Sequence, residues 1–198
     1  MNYLAHACLS FNNAELLTGN MISDFVKGKK QFDYPPGIRA GIQLHRAIDE
    51  FTDLHPATQE VKKYFRPAYR LYAGAFADVV YDHFLANDTR EFPNPGALKV
   101  FTTESYTALE VRSRYFPEKF AVMFPYMRSQ DWLYHYRLDE GMRKSFGGLA
   151  RRAMYIAETD TAFSIFLANK AEIKELYDSF FPDVKIFAAR KAAQLLTE

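Results

Sequence analysis

The sequence holds a single cysteine, Cys8, among 198 residues. No internal disulfide can form, so stability must come from a packed core, and this usage suits a reducing compartment. A cytoplasmic protein is therefore expected. Long apolar runs are missing too, and nothing approaches the roughly 20 residues that a bilayer-spanning helix needs. The first ten residues, MNYLAHACLS, lack the basic start and apolar stretch of a secretory signal. Net charge is nearly absent, with 25 Lys plus Arg against 24 Asp plus Glu. Bulk electrostatics thus gives no reason to expect nucleic acid or a membrane as partner, and any charged docking surface must be local. Alternating strand patterns, internal repeats and low-complexity segments do not occur.

Apolar and aromatic residues are plentiful: 48% of the chain is hydrophobic, with 18 Phe and 13 Tyr. That suffices for one domain over residues 1–198 with a substantial core. Helical periodicity dominates and predicts an all-α bundle. NAELLTGNMISDFVKG reads as a helix over 13–28, closed by Gly28 with Lys27 in its last turn. PPGIRAGIQLHRAIDEFTDLH reads as a helix over 35–55 with prolines at its entrance. A short helix is expected over 57–65, and a long one over 67–88 whose apolar surface places it centrally. After the breakers Pro93, Pro95 and Gly96, further helices are expected near 97–114, 117–128, 139–157, 161–180 and 183–197.

The chemistry-bearing groups gather in the first 83 residues. His45 and Asp49 stand one turn apart on one helix face, within reach of a common ion, with Asp53 a turn further on. Asp78 and Asp82 repeat that spacing, and His83 adjoins the second. Asp24 and His6 lie earlier in the chain. Imidazoles mixed with carboxylates suit Mn²⁺, Fe²⁺ or Zn²⁺, and helical bundles hold such ions between facing helices. Each residue also has a plainer alternative. His45 and Asp49 can form a surface pair, Asp24 and Asp53 can be solvated, and His6 can be a hydrogen-bonded core histidine. Asp82 and His83 can simply hydrogen-bond to neighbours. Asp78 resists that alternative, because an unpaired carboxylate on so apolar a helix is expensive. His55 reads as a helix-end residue before Pro56, His135 as a surface or stacking residue, and Cys8 as a small apolar filler.

Several stretches together resemble one family. NYLAH at 2–6, GNMISDFVKG at 19–28, GIQLHRAIDEFTD at 41–53 and DHFL at 82–85 are similar to the acyl carrier protein phosphodiesterases, also called acyl carrier protein hydrolases. The likeness continues into QDWLYHYR and GMRKSFGGLARR, so it covers most of the chain in order. It implies an all-helical, distantly HD-phosphohydrolase-like fold. The activity it implies is hydrolysis of the phosphodiester joining 4'-phosphopantetheine to a serine of holo acyl carrier protein. Mn²⁺ is the implied metal, with Mg²⁺ or Fe²⁺ as alternatives. Asp24, His45, Asp49, Asp82 and His83 are the matched positions, and His6 matches as well. In one respect the chain departs: HD proteins read His then Asp, whereas the adjacent pair here is Asp82 then His83.

On that basis a metal is expected on His45, Asp49, Asp82 and His83, with His6 and Asp78 as further ligands. Asp24 is the expected base, Arg46 the expected cation on the phosphoryl oxygens, and Asn20 the residue that positions the water or Asp24. The implied partner is a small acidic helical protein. Lys62, Lys63, Arg66 and Arg70 form a local basic patch for it, with Arg112 and Arg114 as a second group. Two other functions compete. One is hydrolysis of a nucleotide or other small phosphate ester, and the other is non-catalytic binding of the carrier.

Overall fold

Proline and asparagine start most of the helices. The computed structural model describes residues 1–153 and 155–197, and among these there are helices and 3-10 turns but no strand. In chain order the helices are α1 Tyr3–Cys8, α2 Ala14–Ile22, α3 Pro36–Leu54, α4 Pro56–Tyr69, α5 Ala73–Ala86 and α6 Pro95–Glu110. They continue as α7 Glu118–Ser129, α8 Trp132–His135, α9 Asp139–Arg152, α10 Asp160–Ala168 and α11 Lys170–Thr197. Pro36, Pro56 and Pro95 each open a helix, where the missing amide is no loss. Asn13 caps α2 by accepting from the Glu15 and Leu16 amides at 3.0 and 3.1 Å.

The all-α class matches expectation, and α5 is central: Phe76, Ala77, Val79, Val80, Tyr81, Asp82, His83, Phe84 and Leu85 are all buried. Some boundaries differ. The first expected helix stops at Ile22 and passes into 3-10 turns over Ser23–Phe25 and Gly28–Asp33. The second turn buries no residue, so no packed face holds the basic run in a helix. The expected helix over 67–88 is broken at Arg70, whose φ is 47°. Pro67 instead lies inside α4, on its exposed side, where solvent can serve the freed carbonyl. At the C-terminus, α11 runs through Pro182, because buried Phe180, Phe181 and Val184 carry its packing across the proline. α1 and α8 are shorter than any window in which periodicity can be read. Among the described residues no helix is long and apolar enough to cross a membrane.

Candidate metal centre

α2 and α3 meet backbone to backbone at Gly19 and Gly41. A Cβ on Gly19 would stand 2.7 Å from the Ile42 amide nitrogen, and one on Gly41 would stand 2.9 Å from Gly19 Cα. Only glycine permits that approach, and it sets Asn20 on α2 against His45 on α3. α1 is too short to hold itself. Asp82 on α5 anchors it, accepting hydrogen bonds from the Leu4 and Ala5 amides at 2.7 and 3.1 Å. His6 on α1 is thereby fixed opposite His45.

The two imidazoles stack, with ring centroids 3.9 Å apart and planes 14° from parallel. Asn20 holds both. His6 Nδ1 lies 2.8 Å from Asn20 Oδ1, and His45 Nδ1 lies 2.8 Å from the Asn20 backbone oxygen. Carbonyl oxygens only accept, so each Nδ1 carries a proton and each Nε2 can offer a lone pair. The Asn20 amide is itself oriented, since its Nδ2 donates to the His6 carbonyl at 3.0 Å and to Ser10 Oγ at 3.1 Å. This is how ligand imidazoles are held from behind in metal sites.

Both Nε2 atoms turn towards Asp49. The distances are 3.2 Å from His6 to Oδ1 and 3.0 Å from His45 to Oδ2. Asp24 Oδ1 lies 3.3 Å from the same His45 nitrogen. His6 Nε2 is buried and has no hydrogen-bond partner among the described residues. A buried lone pair aimed at a carboxylate is repulsive unless a proton or cation stands between them. One ligand atom from each of His6, His45 and Asp49 lies within 4.8 Å of the other two. Two nitrogens and a carboxylate suit a borderline divalent cation.

The protonation pattern follows from the same contacts. Burial alone would lower the His45 pKa, but the Asp24 and Asp49 carboxylates override it and push it up to about 9. For His6 burial prevails, with repulsion from His45 added, and the pKa falls to about 4. Burial works against ionised Asp49, yet the Met1 ammonium and protonated His45 hold it well below the usual carboxylate range. That ammonium lies 3.3 Å from Asp49 Oδ1 and 3.1 Å from Asp78 Oδ1. Burial raises the Asp78 carboxyl while the ammonium pulls the other way.

Of the expected ligands, His6, His45 and Asp49 come together, Asp24 stands beside His45, and Asp78 is one ion pair away. Asp82 and His83 do not join them. Both Asp82 oxygens are engaged by α1 amides, and burial pushes its pKa up to about 7 although those amides pull it down. Neighbours on a helix diverge by about 100°, so His83 faces elsewhere: its Nδ1 lies 2.9 Å from the Tyr136 carbonyl and its ring meets the edge of Phe166. The Arg46 guanidinium donates to the Val26 carbonyl at 2.9 Å and pins the stretch after Asp24. Asn20, fully buried, orients the imidazoles rather than a water. Asp53 pairs with Lys62 at 2.7 Å, and Lys63 pairs with Glu60 at 2.6 Å. Arg112 and Arg114 donate to the Ala108 carbonyl and the Tyr115 hydroxyl. His55 caps α4 by accepting from the Ala57 amide, and exposed His135 lies 2.6 Å from the Gln130 carbonyl. Nothing in the sequence marked Ser10 or the Met1 ammonium, since α1 was not legible as a helix.

Comparison with known proteins agrees on one family. The family described as acyl carrier protein phosphodiesterase matches residues 1–184. An acyl carrier protein phosphodiesterase of Salmonella paratyphi A is 31% identical over 192 residues, 97% of this chain and 100% of the relative. Those of Salmonella agona and Salmonella newport are 30% identical over the same shares of each chain. No solved structure matches.

Proposed function

The chain belongs to the acyl carrier protein phosphodiesterase family, and on that premise we propose that it removes 4'-phosphopantetheine from holo acyl carrier protein. Water attacks phosphorus, the bond from phosphorus to the carrier serine oxygen breaks, and the serine leaves as its alcohol. The products are apo carrier protein and free 4'-phosphopantetheine. The observation that carries this reading is the convergence of His6 Nε2, His45 Nε2 and Asp49.

Those three residues would hold a divalent cation, and two imidazoles favour Mn²⁺ or Fe²⁺ over Mg²⁺, which keeps to oxygen. Such an ion, when bound, acidifies a water and offsets charge on the phosphoryl oxygens. Asn20 keeps both Nδ1 atoms protonated and both Nε2 atoms turned inward. Asp24 stands exposed at the rim, and its hydrogen bond to His45 holds its carboxyl below the usual range. It is therefore ionised at neutral pH and orients the attacking water, taking its proton. Arg46 positions Asp24 by fixing the Val26 carbonyl just beyond it.

Mass spectrometry of holo carrier protein incubated with this protein and Mn²⁺ tests the reading. Loss of the whole phosphopantetheine group, abolished by a chelator and restored by Mn²⁺, is expected. Turnover of a nucleotide panel with holo carrier left intact would move the function to small phosphate esters. Activity indifferent to chelation would remove the metal from the account.

A further inference from the structure

A cavity of about 580 Å³ opens at the junction of α4 and α5, outside the donor set and unused by the steps above. Lys62, Arg66, Arg70, Leu71, Asp53 and Asp78 are on its wall. Their charges do not cancel. Lys62 is paired with Asp53, and Asp78 with the Met1 ammonium. Arg66 and Arg70 are exposed and have no ion-pair partner among the described residues, which leaves two guanidinium forks uncompensated. Such forks match carboxylates and phosphates in shape and charge.

Two more features fall at the same junction. Arg70 has φ 47° and ψ −117°, a conformation that glycine holds freely and L side chains rarely adopt. Strained backbone at a non-glycine residue clusters at ligand clamps and switch regions. Leu71, the next residue, is 99% exposed. A lone exposed leucine is ordinary, but this one is presented by a strained backbone at the mouth of an arginine-lined cavity.

We propose that this junction docks an acidic protein surface, with Arg66 and Arg70 receiving its carboxylates and Leu71 making its apolar contact. A small phosphate compound would leave Leu71 in water, so a protein surface fits the observations better. The inference rests on the reading of holo carrier protein as substrate. Asp78 on the cavity wall shares the Met1 ammonium with Asp49, so a partner seated here lies beside the donor set.

Arg66→Glu and Leu71→Glu are compared with wild type for apo carrier affinity by titration calorimetry and for KM with holo carrier. Both side chains are exposed, so thermal melting should confirm an intact fold. Each variant is expected to weaken carrier binding and raise KM about tenfold or more, and Arg66→Glu should flatten the salt dependence. Unchanged affinity and KM in both variants would overturn the proposal. So would a loss confined to Lys29→Glu with Lys30→Glu, on the exposed basic segment beyond Asp24, or tight binding of inorganic phosphate lost in Arg66→Glu while carrier affinity stays. A wild type that binds carrier through this junction but releases nothing would refute the hydrolase reading and leave the docking surface standing.

Discussion

His6 and His45 lie face to face, 3.9 Å between centroids, because Asn20 accepts a hydrogen bond from each ring. The two anchors differ in kind. His6 leans on the Asn20 side chain, whereas His45 leans on its backbone. Asn20→Ala should therefore free His6 and leave His45 in place. Mn²⁺ affinity is expected to fall about 10- to 100-fold, the usual consequence of losing an outer hydrogen-bond partner. Calorimetric titration with Mn²⁺ checks this, and an affinity equal to wild type would deny Asn20 its role.

His45 ties the metal-free site to pH. Its pKa moves from about 6.5 to about 9 on folding, so between those values the folded chain keeps a proton that the unfolded chain has released. That contribution, about 3 kcal/mol at order-of-magnitude level, is complete below pH 6.5 and is lost as pH climbs through 9. The Met1 ammonium, raised to about 11 against the pull of burial, acts in the same direction at higher pH. Denaturant unfolding of metal-free protein should show falling stability from pH 7 to 9, and His45→Gln should flatten the curve. Because a metal must displace the same proton, Mn²⁺ affinity should rise up to about tenfold per pH unit over that range.

The parts legible in the sequence were those written in helical spacing. His45 and Asp49 are four apart on one helix, and their shared face emerged from that alone. Glycine types at 19 and 41 hinted at nothing until the helices were seen to touch through them. Asp82 and His83 were ambiguous in the sequence because a carboxylate that caps a short helix and one that binds metal are the same residue type. The distinction lies in the partner, here amides 78 and 77 positions away. The break at Arg70 was hidden for a similar reason, since Arg-Leu-Tyr is as acceptable in a helix as in a strained turn.

Asp82 separates a capping role from a ligand role. Asp82→Asn keeps one acceptor for the α1 amides but turns an NH₂ towards the other, which should destabilise by about 1–3 kcal/mol. Loss of a true ligand would instead abolish tight metal binding. Mn²⁺ affinity within about tenfold of wild type, alongside a lowered melting temperature, is the expected pair of results. An intact melting temperature with no metal binding would return Asp82 to the coordination sphere.

Arg70 predicts a trade between stability and recognition. Arg70→Gly relieves about 1–3 kcal/mol of backbone strain and adds about 0.5–1 kcal/mol of unfolded-state entropy. Net stabilisation of about 1 kcal/mol, read by denaturant unfolding, should accompany weaker carrier binding. A destabilised Arg70→Gly protein would mean that the side chain supports the fold itself.

Two glycines on α3 test whether the helix crossing builds the site. A Cβ on Gly41 meets the α2 backbone at Leu16 and Gly19, which cannot move without opening the α2–α3 contact. A Cβ on Gly37 meets no backbone but the Glu15 side chain, whose carboxylate can swing aside and whose Cβ, 2.9 Å away, must shift slightly. Gly41→Ala should therefore cost at least about 2 kcal/mol and displace Asn20 from His45, weakening Mn²⁺ binding in whatever protein remains folded. Gly37→Ala should cost less than about 1 kcal/mol, since the better helix propensity of alanine offsets the small shift asked of Glu15. Equal tolerance of both substitutions, in melting and in metal titration, would show that the close crossing is not what aligns the two imidazoles.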